Sequence, residues 1–133
     1  MSAEENKAVF LRFVDELRRG NVAIVDEVCS AKFRFYSPNL PNFPKGLEGA
    51  RMLVKRGRDS GIEARIEDII AEDEKVAVRW TFTGIYRGDP QPGYPKPGDK
   101  ITIGSISFYR FVNGKIEEDW GLDVVSSIDD PWR

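Results

Sequence analysis

Phe108-Tyr-Arg-Phe-Val-Asn-Gly-Lys-Ile-Glu-Glu-Asp-Trp120 decides the fold of this chain, because strand-like runs flank Asn113-Gly114 and make the segment a hairpin. Strand pattern extends outward from it, over about Lys100 to Phe111 on one side and Lys115 to about Val125 on the other. The register decides which side chains share a face. A two-residue Asn-Gly loop pairs Val112 with Lys115 and brings Phe108 opposite Asp119, setting an aromatic ring against a charge. A three-residue loop, Val112 to Gly114 with Gly114 in the left-handed position, pairs Phe111 with Lys115 and Ser107 with Asp119, and is the preferred reading. Under it Ile106, Phe108, Ile116, Trp120 and Leu122 form a mainly apolar face, while Ser105, Ser107, Tyr109, Asp119 and Asp123 line the other.

Upstream of the hairpin the period of the apolar residues changes twice. Ser2 and Glu5 form a capping box, after which Phe10, Phe13, Val14 and Leu17 recur at helical spacing until Gly20. Asn21 caps a shorter helix carrying Ile24, Val25 and Val28, and Phe33 to Tyr36 reads as a short strand stopped by Ser37-Pro38. A loop to Pro44 leads into a third helix from Gly46 to about Asp59, with Leu47, Ala50 and Val54 on one side and Gly61 closing it. From Ile62 the period is two: Ile62, Ala64, Ile66 and Ile70 alternate with polar residues, as do Val76, Val78, Trp80 and Phe82. Glu72-Asp73-Glu74 is the turn between these strands, and the Pro- and Gly-rich stretch from Asp89 to Asp99 connects them to the hairpin. Three N-terminal helices and then antiparallel strands indicate an α+β domain over residues 1–133, its curved sheet wrapped over the helices.

Composition narrows the chemistry. The 133 residues are 41% hydrophobic, enough apolar mass for one core. The 20 basic and 22 acidic side chains are dispersed, so no basic stripe invites nucleic acid. No apolar run approaches the ~18 residues of a membrane span. With a single cysteine and no signal-peptide pattern, a soluble, reducing, cytoplasmic setting is the expectation. Histidine is absent, which removes histidine triads, imidazole bases and histidine metal sites, and Cys29 alone cannot build a thiolate zinc site. Chemistry must then rest on carboxylates, Tyr, Lys, Arg or Ser.

Four segments carry a resemblance: Phe13 to Asn21, Phe33 to Pro38, Ile69 to Gly84, and Arg110-Phe-Val-Asn-Gly-Lys-Ile-Glu-Glu-Asp-Trp120. Through them the chain resembles the nuclear transport factor 2-like superfamily, and within it the SnoaL-like polyketide cyclases, over nearly its whole length. The resemblance implies a cone of bent sheet and three helices, a largely apolar pocket at one end, and a homodimer through the outer sheet face. It also implies cofactor-free, metal-free ring closure by intramolecular aldol condensation, with an acidic residue as acid/base on a carbonyl-bearing apolar molecule. Asp119 is the expected catalytic residue, since an apolar wall that raises a carboxylate's pKa fits it to take a proton alpha to a carbonyl. Phe13, Tyr36, Arg79, Ser107 and Asp123 are the expected substrate-binding residues. This chain departs from many relatives in carrying Tyr36 and Asp119 where they carry a histidine, and Ser107 where they carry an acid or a histidine. The ketosteroid isomerases, on the same scaffold, place functional groups at positions matching Phe13, Ser37 and Ser107, and none is present.

Each candidate has a plainer reading. Asp119 can be a solvated strand residue or the partner of Arg79, and Arg79 can orient a ligand oxygen only if it faces inward. A non-catalytic ligand-binding or dimerisation domain of the same fold is the alternative function.

Overall fold

The computed structural model describes residues 1–59, 61–87, 95–126 and 130–133. Ser2 opens the first helix, α1 (Ala3–Arg18), by the reciprocal capping box: its hydroxyl accepts from the Glu5 N–H at 3.1 Å, and its own N–H donates to the Glu5 carboxylate at 3.1 Å. A short helix, α2 (Ile24–Val28), runs directly into strand β1 (Cys29–Tyr36). Asn21 does not cap α2, because its side-chain amide donates back to Glu16 at 2.8 Å and no side chain caps that helix. Helix α3 (Gly46–Asp59) follows, then β2 (Glu63–Glu72), β3 (Lys75–Ile85), β4 (Lys100–Val112) and β5 (Lys115–Ser126). Residues 89–94 of the Pro- and Gly-rich connection lie outside the described residues. Just inside its ends, Tyr86 exchanges backbone hydrogen bonds with Gly98 and Asp99.

The sheet order is β1-β5-β4-β3-β2. β2 to β5 form an antiparallel meander, and β1 joins β5 in parallel. This is an α+β architecture, helices first and then a curled, unclosed sheet. The helices cover one face of it: Phe10 of α1 packs its ring against Trp80 and Tyr109, with centroids at 5.8 and 4.6 Å. Phe10, Val25, Val76, Val78, Phe111 and Ile116 are almost wholly shielded from solvent at the centre. Dense burial of this kind stabilises by about 25 cal/mol per Å² of apolar area removed from water.

The hairpin differs from its expected register. Asn113 (φ 51°) and Gly114 (φ 75°) both take the left-handed conformation, so the loop has two residues and Val112 pairs with Lys115. A bulge at Glu117 then shifts the ladder, so that Tyr109, not Ser107 or Phe108, stands opposite Asp119. The bulged side chain is held by Ser30, which donates at 2.9 Å, and by Arg110 at 3.3 Å. Beyond the bulge the ladder has moved by two positions relative to the expected one, which leaves the faces unchanged. Ile116, on the turn side of the bulge, is the exception and points into the core, 1% exposed. A second bulge between Ile66 and Asp68 breaks the expected alternation of Ile66 and Ile70, and Ile70 lies on the outer side at 67% exposure.

Candidate active site

The face of β4 and β5 under the helices carries polar residues in a line. Ser105, Ser107 and Asp119 are buried there, with Asp123 and Tyr109 partly covered. Asp119 is flanked by β4 and by β1, where Phe35 is its parallel partner. The residue is 7% exposed, and its buried Oδ1 has no hydrogen-bond partner. Burial pushes this carboxyl from its ordinary value of 3.8 up to about 8, and the nearby charge of Asp123 adds in the same direction. At neutral pH the group is mostly the neutral acid, and its ionised form is a stronger base than an exposed aspartate.

The hydroxyl groups around it form a small polar island. Burial drives the Tyr109 phenol well above its ordinary value, with the Asp119 charge adding to the rise, while the Ser107 hydroxyl and the Trp80 indole lean toward the phenol and oppose it. Trp80 Nε1 itself makes no hydrogen bond of normal geometry. Cys29, also close to Asp119, is pushed up to about 12 by burial first and by the Asp119 charge second, and so stays a thiol. Buried polar atoms without partners are uncommon in native interiors, and two of them, Asp119 Oδ1 and Trp80 Nε1, lie on this one face.

Among the expected site residues, the structure gathers Asp119, Ser107 and Asp123 on the inner face, with Phe13 on the core side of α1, its ring 6.5 Å from that of Phe10. Asp123 is fixed at its backbone by the Asn39 amide, which accepts from its N–H at 2.9 Å and donates to its carbonyl at 3.3 Å. Tyr36 and Arg79 are corrections. Tyr36 lies on the outer face, stacked on Trp120 at 4.0 Å, and Phe35 faces inward in its place. Arg79 pairs with half-exposed Ile106, and its guanidinium sits 5.0 Å above the Trp132 ring on the outer side, so it neither orients an inner ligand nor partners Asp119. Strand alternation carries the reason: Phe33 and Val78 point inward, and a residue an odd number of places along cannot do so without a bulge. Phe35 and Tyr109 were the missing neighbours of Asp119, and the same period of two was the signal for Phe35. A shallow groove of 170 Å³ lined by Glu63, Arg65, Thr81 and Thr83 lies across β2 and β3, away from these groups. Among the described residues, no group of three His, Cys, Asp or Glu side chains could hold a metal ion.

Comparisons with known proteins bear on the family and the fold. The family model for the SnoaL-like polyketide cyclases matches residues 8–126. TsrD from Streptomyces laurentii superposes with a TM-score of 0.73 at 22% identity, over 92% of this chain and 90% of that one. An LEH-like epoxide hydrolase of M. tuberculosis gives a TM-score of 0.71 at 15% identity, covering 92% and 84%. An NTF2-like protein from Burkholderia xenovorans LB400 gives 0.68 at 15%, covering 96% and 93%. No curated protein matches. These structural likenesses establish the shared fold.

Proposed function

The chain belongs to the SnoaL-like polyketide cyclase family, and from that premise we propose that it binds a small, mostly apolar, carbonyl-bearing molecule and closes or isomerises it with Asp119 as the acid/base. The observation that carries the reading is the buried, unpartnered Asp119 carboxyl on the helix-covered face, its pKa raised to about 8. A general base is most effective when its pKa lies near the working pH. In the aldol reaction the ionised carboxylate takes a proton from the carbon alpha to one carbonyl, leaving an enolate. The enolate carbon bonds to a second carbonyl of the same molecule, and the alkoxide formed there recovers the proton from the now neutral Asp119. No atom is lost and the base is restored. Because the site favours the neutral acid, proton abstraction moves Asp119 toward its preferred state. Ser107 offers a hydroxyl to a substrate oxygen, Phe13 and Phe35 supply apolar wall, and Asp123 stands further along the same strand face.

The test is Asp119→Asn, which keeps the shape and removes the base. Polycyclic ketones that raise the melting temperature of the wild type are assayed for conversion with both proteins. Conversion that collapses in the variant supports the reading, whereas equal conversion by both overturns it. A ligand retained by both proteins and converted by neither indicates the non-catalytic binding alternative.

A homodimer through the outer sheet face belongs to the same proposal. Ile106, Phe108, Trp120, Leu122 and Val124 are between 47% and 63% exposed on adjacent strands there, a contiguous apolar surface of the kind that marks association sites. Sedimentation of the wild type at micromolar concentration should show a dimer, and a monomer counts against this part.

A further inference from the structure

Gly121 stands on β5 between Asp119 and Asp123, on the face that the helices cover, directly opposite Ser107 of β4. Nothing in the backbone asks for glycine there. Its φ lies outside the left-handed region, and a Cβ would meet Ser107 Oγ at 3.5 Å, the Phe35 ring at 3.8 Å and Asp119 Oδ1 at 3.9 Å, all ordinary contacts. Glycine weakens a strand interior, by its entropy and by the packing it forgoes, and it recurs where another molecule approaches the backbone closely. Gly104, on the neighbouring strand, shows the contrast. There a Cβ would press on Pro131 and Trp132 at 3.2 to 3.3 Å, so the need for glycine is explained by the chain's own packing.

The missing side chain leaves a niche about one non-hydrogen atom wide. Its rim holds a hydroxyl that can donate, an unpartnered carboxyl oxygen nine-tenths buried, and an aromatic wall. A purely apolar occupant would leave Asp119 Oδ1 unpaired, which is costly in a buried setting. A single oxygen atom on a planar carbon framework meets every part of the rim: it accepts from Ser107, it accepts from Asp119 once that carboxyl has taken the alpha proton, and its ring packs on Phe35.

We propose that the niche over Gly121 is the subsite for the carbonyl or enol oxygen of a planar, enolisable ketone, and that Gly121 determines specificity by leaving room for that oxygen. Ser107 is the positioning donor. This rests on the reading of Asp119 given above and adds to it the place of the reacting oxygen and the residue that makes room for it. It follows that ketones whose oxygen is flanked by bulky substituents are excluded, since the niche takes one atom and not a branched group.

The experiment uses 2-naphthol, a planar enol-like oxygen on an apolar frame, titrated against the whole protein by its fluorescence, with naphthalene as the shape control. Wild type should bind 2-naphthol more tightly than naphthalene. Gly121→Ala should weaken 2-naphthol about 10- to 200-fold, the range for one methyl group of lost room in a pocket. Ser107→Ala, which removes only a donor, should weaken it about 2- to 10-fold and leave naphthalene unchanged. Equal binding of 2-naphthol by wild type and Gly121→Ala overturns the proposal, and so does a wild type that fails to distinguish the two probes at millimolar concentration. Should Gly121→Ala fail to fold, the Ser107→Ala titration decides alone, with unchanged 2-naphthol binding as the overturning result. Because none of these titrations requires turnover, their failure is distinct from that of the Asp119→Asn assay: a niche without the predicted preference would leave the acid/base role of Asp119 standing.

Discussion

The two faces of the β4–β5 pair invert the common arrangement of a half-buried sheet. The face turned to the helices buries Ser105, Ser107 and Asp119, whereas the face turned away leaves Ile106, Phe108, Trp120, Leu122 and Val124 about half exposed or more. On the outer face the polar groups are satisfied: Arg110 reaches Glu118 at 2.7 Å, Glu118 accepts from the Trp120 indole at 2.9 Å, and Tyr36 stacks on that indole. On the inner face a carboxyl oxygen goes without a partner. Burial without satisfaction motivates the acid/base proposal for Asp119, and apolar exposure motivates the proposed contact surface.

Substitutions on each face test that division. The largest effect is expected for Asp119→Asn, whose conversion of a ketone ligand should fall by about 100- to 10,000-fold, the usual contribution of a positioned acid/base. Steady-state kinetics would read it, and a loss confined to KM would argue for binding alone. Next is a pH effect on stability. The Asp119 pKa is raised on folding, from 3.8 to about 8, so the folded state binds the extra proton between those values. The stability that this group contributes is therefore fully present below the lower value and is lost as pH rises through the upper one, by about 1.4 kcal/mol per pH unit in between. Urea titrations of wild type and Asp119→Asn across that window should diverge with this slope, and parallel curves would mean the carboxyl is not shifted.

Phe10→Ala should cost about 3 to 5 kcal/mol, since the ring is fully buried against Trp80 and Tyr109. Leu122→Glu, on the half-exposed outer side, should change the stability of the monomer little while shifting sedimentation from dimer to monomer. Equal stability losses for the two substitutions would erase the distinction between the faces. The smallest effect is expected for Arg79→Ala, which loses its contact with the Trp132 ring at a half-buried position, worth about 0.5 to 2 kcal/mol, with conversion unchanged within about twofold. A large loss of turnover there would place Arg79 in the chemistry after all.

The amino-acid pattern carried the order of the elements, the third helix from Gly46 to Asp59, and the sharing of one face by Ser107, Asp119 and Asp123. Parity explains why the expected and the observed registers share the same face. Two positive-φ residues at the turn shortened the loop, and the bulge at Glu117 restored the original sense, so the total slip was even. The bulge itself was not legible, because its stabilising partner Ser30 lies 87 residues earlier in the chain. Tyr36 and Arg79 show a different limit. Their chemistry suited a ligand site, and chemistry outweighed the period-two alternation that puts them outside. Gly121 carries no signal in the sequence, because a residue without a side chain shows its use only against neighbours from other strands.

β1 and β5 run side by side although the segments joining them include α3 and three strands. On the ribosome, Phe35 is therefore made long before the strand that will lie beside it, and the Phe35 wall meets Asp119 only once β5 pairs with β1. The contact between β1 and β5 that surrounds Asp119 joins distant parts of the chain, the class of contact that is slowest to form. A stalled intermediate lacking β5 would expose the unpaired edges of both β1 and β4, two adhesive borders. Quality control in the cell would meet that form first, so variants that slow the final docking should lower abundance before they lower the activity of the molecules that finish.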